Sequence, residues 1–184
     1  ILPNLLMIVI IIVAFYIYRK YDYNYFSKGI LEKGRTEFSR DSNVKYSKDR
    51  SYKIENKVSN DAMFYREVTV RKNTPYRVTC MVRTENVVGN ENDTMAGAQI
   101  CLNETDEHSN VIQGNTNWTK IEFLFNSKNN EKVEIGFRLG GISNTAEGTA
   151  WFSDFTIEEG STDESNIWNF GVFLIDNVNA TIEG

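Results

Sequence analysis

Apolar and polar residues alternate through most of the chain beyond residue 50. Tyr76, Val78, Cys80 and Val82 fall on one face, and Ala96, Ala98, Ile100 and Leu102 on another. Ile121, Phe123 and Phe125 repeat the pattern, as do Val133, Ile135, Phe137 and Leu139. A period of two marks a strand with one face buried. The pattern predicts strands over Tyr52–Glu55, Met63–Val70, Tyr76–Thr84, Met95–Leu102, Trp118–Phe125, Lys132–Leu139 and Thr149–Ile157. Turn-forming clusters separate them at 58–61, 72–75, 88–93, 113–117, 127–130 and 140–144. Many short strands at near-regular spacing predict an all-β sandwich or barrel. Register is well specified, because a slip of one residue would turn every apolar side chain to water. Each is worth about 1.5–3 kcal/mol when buried.

The first twenty residues follow another pattern. Leu5 to Tyr18 carries no charge, and Ile1 and Leu2 lengthen the apolar run. A membrane-spanning helix takes about 20 residues, so the run lies near the lower limit. Tyr16, Tyr18, Arg19 and Lys20 form an aromatic and basic collar suited to a headgroup layer. No small-x-small cleavage site follows. The reading is an uncleaved transmembrane anchor over residues 1–20; a buried core segment and a cleaved signal peptide are the alternatives. Arg19, Lys20, Lys28, Lys33 and Arg35 would by themselves hold the following domain in the cytoplasm. That domain spans 21–160. A polar linker follows over 161–167, and 168–184 is again strand-like, as the start of a further module or a terminal strand.

Composition narrows the function classes. Of 184 residues, 41% are hydrophobic and 24% charged, which is a folded rather than a disordered balance. A net charge of −5 argues against nucleic acid or an anionic membrane surface as the domain's partner. Cys80 points inward and Cys101 outward by alternation, so two free thiols are expected. Catalysis has little to stand on. The single histidine, His108, lies in a polar loop, and Glu158 and Glu159 point to opposite faces of a strand. Four Asn-x-Thr triplets, at Asn92, Asn103, Asn117 and Asn179, match glycosylation acceptors, as chance would supply in so asparagine-rich a chain. Trp118 and Trp151, at strand starts, are expected in the core or at a sheet edge. Asp154, set between apolar neighbours, must face solvent, find a partner or bind a metal.

Three segments, in order, carry a resemblance. Gly29-Ile-Leu-Glu-Lys-Gly34, the stretch Tyr46–Asn56, and Gly148-Thr-Ala-Trp-Phe-Ser-Asp-Phe-Thr-Ile157 resemble the opening, second and closing motifs of the jelly-roll carbohydrate-binding modules of families 4, 9 and 22. Thr74-Pro-Tyr-Arg-Val and Asn117-Trp-Thr-Lys-Ile are similar to further recurrent segments, and the match covers about residues 24–159. Leu31, Lys48 and Ser153 depart from the pattern: they stand where the family has phenylalanine, glycine and aspartate.

The resemblance implies a two-sheet antiparallel jelly roll and a structural calcium held by Glu32 and Asp154, helped by backbone carbonyls near Lys48 and Asp49. It also implies one sheet made of the strands at 52–55, 75–84, 95–102 and 132–139. Arg83, Gln99, Glu134 and Arg138 on its outer face would serve sugar hydroxyls, and Gly97 and Gly136 would leave room. No tryptophan or tyrosine platform is evident on that face, only Met81. The expected function is a membrane-anchored, extracytoplasmic, non-catalytic module at the cell surface. It would bind a glycan or cell-wall polysaccharide as an accessory or adhesion domain. The alternative is a structural spacer positioning a downstream module that could be an enzyme.

Overall fold

The computed structural model describes residues 26–90 and 94–160, together with Met7. The expected anchor, apart from Met7, the linker and the segment 168–184 lie outside the described residues. Among the described residues no helix is long and apolar enough to cross a membrane.

Nine strands form two antiparallel sheets: β1 (Ser27–Ile30), β2 (Thr36–Asp41), β3 (Ser51–Asn60), β4 (Ala62–Thr69), β5 (Pro75–Gly89), β6 (Gly97–Leu102), β7 (Gly114–Asn126), β8 (Lys132–Gly140) and β9 (Ala146–Glu159). One sheet runs in the order β1-β4-β8-β6 and the other β2-β3-β9-β5-β7. Packed face to face, they make a sandwich consistent with a jelly roll. The alternation predicts the interior correctly: Val78, Cys80, Val82, Ile100, Ile121, Ile135, Phe137 and Leu139 are all essentially inaccessible to water. β1 and β2 escaped the pattern. β1 is four residues long, and β2 offers only Phe38 to the core.

The expected grouping into one sheet is wrong. β3 and β5 belong to the five-stranded sheet, and β6 and β8 to the four-stranded one. Alternation sets which face of a strand is apolar and says nothing about which sheet holds it. The change of sheet occurs at Asp61, the single residue between β3 and β4. What the turn cluster at 58–61 marks is this corner, not a hairpin.

Beside the corner lies a buried amide network. Asn56, 2% exposed, directs its Nδ2 at three carbonyls: Asn60 at 3.0 Å, Leu139 at 3.1 Å and Ala146 at 2.9 Å. Its Oδ1 accepts from Thr36 Oγ1 at 2.6 Å. Asn60, equally buried, donates to the Glu32 carbonyl and accepts from the Glu32 N–H. One side chain thus ties β3 to β9 in its own sheet and to β8 in the facing one. It sits where the β3–β9 ladder breaks, between the pairs Asn56↔Gly148 and Asn60↔Ala146. Gly148 has φ +114°, and a Cβ there would lie 2.4 Å from the Asn86 carbonyl, so no other residue fits.

Replacing Asn56 with Ala strips the donors from three buried carbonyls, each costing about 1–3 kcal/mol if left unsatisfied. Asn56→Ala is therefore expected to lose at least 3 kcal/mol in urea unfolding, and a loss under about 1 kcal/mol would show that water replaces the amide at no cost.

Candidate functional site

The sequence-predicted ligand residues do not converge. Arg83 lies on the outer face of the five-stranded sheet, and Gln99, Glu134 and Arg138 on the outer face of the four-stranded sheet. Each already has a partner. Arg138 is bound by both oxygens of Asp61, with Nε donating to Oδ1 at 2.6 Å, and the pair is largely buried. Gln99 Nε2 donates to the Gly140 carbonyl at 2.7 Å, and Glu134 accepts from Asn103 Nδ2 at 2.7 Å. The glycines leave no room for a ligand. A Cβ on Gly97 would meet the Ile112 carbonyl and Val111 at 2.7 Å, and one on Gly136 would meet the Phe64 carbonyl at 2.0 Å. Both permit close packing of protein on protein. Gln99 and Arg138 share a hollow of about 140 Å³, below the roughly 300 Å³ at which ligand pockets begin.

Arg83 serves Trp151 instead. The indole lies on the outer face yet is 4% exposed, so neither the core nor a sheet edge describes it. Lys53 and Arg83, from the strands on either side, reach over it at 5.7 and 5.6 Å from the ring centroid. Glu55 and Glu85, each two residues further along, hold those cations at 2.6 and 2.7 Å. Trp151 Nε1 donates to Asp41 Oδ2 at 2.9 Å. Trp118, half-buried, meets Tyr46 of the 42–50 loop, ring centroids 5.8 Å apart.

The two expected calcium ligands stand at opposite ends of the molecule. The Glu32 backbone joins Asn60, opposite Ala146, whereas Asp154 lies eight residues along β9, roughly 25 Å away at strand rise. Glu32 pairs with Arg35 at 2.8 Å. Asp154 accepts Ser47 Oγ on both oxygens, at 2.7 and 2.6 Å. Among the described residues no three His, Cys, Asp or Glu side chains gather to hold a metal. The donor set does not fit one shared calcium. Asp154 instead marks a bulge: pairing with β5 steps from Met81↔Ser153 to Thr79↔Thr156, and Asp154 takes up the extra residue at φ 52°. Its acceptor oxygens answer a loop hydroxyl.

The bulge borders a larger feature. β3 last pairs at Tyr52↔Phe152, so among the described residues β9 from Ser153 onward has no strand neighbour on that side. A cleft of about 680 Å³ opens there, within the range typical of ligand sites. Its floor is aromatic: Phe26, Tyr52, Phe137, Phe152 and Phe155. Phe26 lies 4.6 Å from Phe137, 4.9 Å from Tyr52 and 5.7 Å from Phe155, centroid to centroid. Such edge and tilted contacts hold rings rigidly. The rim carries Arg40, Lys48, Asp49, Arg50 and Asp154. The Arg40 guanidinium lies 3.8 Å over the Tyr52 ring, and neither it, Lys48 nor Arg50 forms an ion pair among the described residues. Sequence reasoning brought Asp154 together with Lys48 and Asp49 but missed Arg40 and the aromatic floor, which come from separate stretches. The Lys48-Asp-Arg50 run was the available signal.

The 42–50 loop that forms this rim is pinned down. Asp41 Oδ1 accepts the N–H of Asn43 at 2.8 Å and of Val44 at 3.1 Å. Ser51 Oγ donates to the Val44 carbonyl. Burial pushes the Asp41 carboxyl up, but the bonds from Trp151, Val44 and Asn43, with the Lys53 charge, outweigh that and hold it below its usual value.

No protein-family model matches the chain, and no curated protein does. Solved structures do. The enzymatically active domain of bacteriophage CBA120 tailspike protein 4 matches 74% of this chain at 11% identity and a TM-score of 0.52. An arabinose-bound α-L-arabinofuranosidase, MgGH51, matches 73% at 13% identity and 0.50. The chain spans 19% and 23% of those two proteins. TmCBM61, solved with β-1,4-galactotriose, matches 77% at 15% identity and 0.48, over 92% of its own length. At such identities the shared property is the β-sandwich fold.

Two outcomes follow from this geometry. A carboxyl held low in the folded state stabilises above its unfolded pKa, about 3.9, and that contribution is lost as pH falls through the folded value. Asp41→Asn should therefore flatten the loss of stability below about pH 4 in acid unfolding curves; unchanged curves would remove Asp41 from the loop's anchor. Both thiols are buried and free. Burial pushes the Cys101 thiol up to about 11, against the pull of Arg138, and raises Cys80 further still. At pH 8 neither should react with Ellman's reagent until denaturant unfolds the domain.

Proposed function

We propose that the described domain is a non-catalytic glycan-binding module whose site is the cleft beside the Asp154 bulge. The observation that carries this reading is the cleft itself. Saccharide recognition takes apolar ring surface together with fixed polar groups, and here a rigid aromatic floor lies under unpaired donors. The outer sheet faces offer no comparable place, because their polar side chains are committed to one another. The sandwich fold supports the reading, since it also occurs in an arabinose-bound arabinofuranosidase and in an enzymatically active tailspike domain. The uncharged Leu5–Tyr18 run and the resemblance in sequence support an accessory role at the end of a membrane anchor, outside the cytoplasm.

A glycan array probed with the full chain in mild detergent tests the proposal. Binding to a defined set of glycans is expected, reduced about tenfold or more by Arg40→Ala and unaffected by Lys120→Ala on the exposed face of β7. An array without binders, or binding indifferent to Arg40→Ala, would overturn it; the first result would leave the spacer role.

A further inference from the structure

We infer that the saccharide taken by the cleft is acidic, a sugar ring bearing a carboxylate, an inference that rests on the glycan-binding reading above. Positive charge is concentrated around the cleft. Elsewhere on the described surface many cations are matched with carboxylates, Arg71 with Glu159, Lys72 with Glu131, Lys132 with Glu67 and Lys57 with Glu37, while Lys33 and Lys45 stand singly. What sets the cleft apart in a chain of net charge −5 is that three cations without an ion pair among the described residues share one rim. The rim acids do not balance them. Asp49 and Asp154 are two carboxylates against three cations, and both oxygens of Asp154 already accept from the Ser47 hydroxyl. Behind the floor, Arg66 lies 5.3 Å from the rings of both Phe26 and Phe155.

Arg40 gives the inference its geometry. A guanidinium held 3.8 Å over a tyrosine ring loses little freedom on binding, and its N–H groups remain available. A planar fork of this kind matches the two oxygens of a carboxylate. Lys48 and Arg50, exposed on the neighbouring loop, would attract the same charge without fixing its orientation. The aromatic floor then meets the apolar face of the sugar ring while the carboxylate meets the rim. A neutral sugar would leave the rim's excess positive charge without a partner.

Titration calorimetry with α-1,4-trigalacturonate and with its fully methyl-esterified form, on the full chain, separates the two levels of the argument. The acid is expected to bind at least tenfold tighter than the ester. Arg40→Lys, which keeps the charge and removes the fork, is expected to erase about tenfold of that preference with the melting temperature unchanged. Equal binding of acid and ester would overturn the acidic inference and leave the glycan-binding reading standing. Binding of neither, in a chain that does bind a neutral glycan on the array, would also overturn it. Binding of no glycan at all would overturn both. Displacement of trigalacturonate by millimolar sulfate would reveal an anion site without sugar recognition, and would likewise sink the inference.

Discussion

The Asn56 amide governs how the two sheets meet. Three carbonyls from different stretches of chain converge on one buried nitrogen: from β3, from the end of β8 and from the start of β9. An apolar residue of similar size would take both N–H donors of the amide away from these carbonyls, so the end of the sandwich near Asp61 closes best around a side-chain amide. Arg138 and Asp61, adjacent to it, bind across the same corner. With one end sealed by polar bonds, β3 pairs with β9 from Asn60 to Tyr52, with one break in register between Asn60 and Asn56, and stops at Ser51. The opposite end therefore opens where β3 runs out, and that opening is the cleft. Closure at one end and access at the other are two results of the same strand.

How much of this was legible depended on whether the signal was local. Seven strands were readable because a buried face repeats every second residue, and the inward residues of β5, β6, β7 and β8 followed it without exception among those named. The path between sheets was not readable. Asp61 looks like one more turn residue, and its role depends on Arg138, 77 positions away. Trp151 shows a different limit. Alternation places it outward, burial places it inward, and the two agree only once Lys53, Arg83 and Asp41 are seen to close over it. Cys101 repeats the lesson: it points away from the core and is still 2% exposed, because the loop that returns through His108 covers it. The resemblance in sequence fits the sandwich, but the paired calcium ligands it implied stand at opposite ends.

Glycine and charge misled for the same reason. Gly97 and Gly136 on an outer sheet face can mean space for a ligand or space for the protein's own backbone, and the two meanings look identical in a sequence. Contact decides between them, and here a loop and a neighbouring strand occupy both places. Likewise, Arg83, Arg138 and Arg40 are equivalent as letters. Arg83 is held by Glu85 against an indole, and Arg138 is locked in a buried pair. Arg40 rests on Tyr52 with no carboxylate at its edge. A cation already neutralised has little left to offer a ligand, because binding would have to break the existing pair first. A cation preorganised on a ring and left without a counter-charge can bind without that loss. Arg83 and Arg138 thus help to hold the sandwich together, while Arg40, Lys48 and Arg50, without an ion pair among the described residues, gather at the end that β3 leaves open.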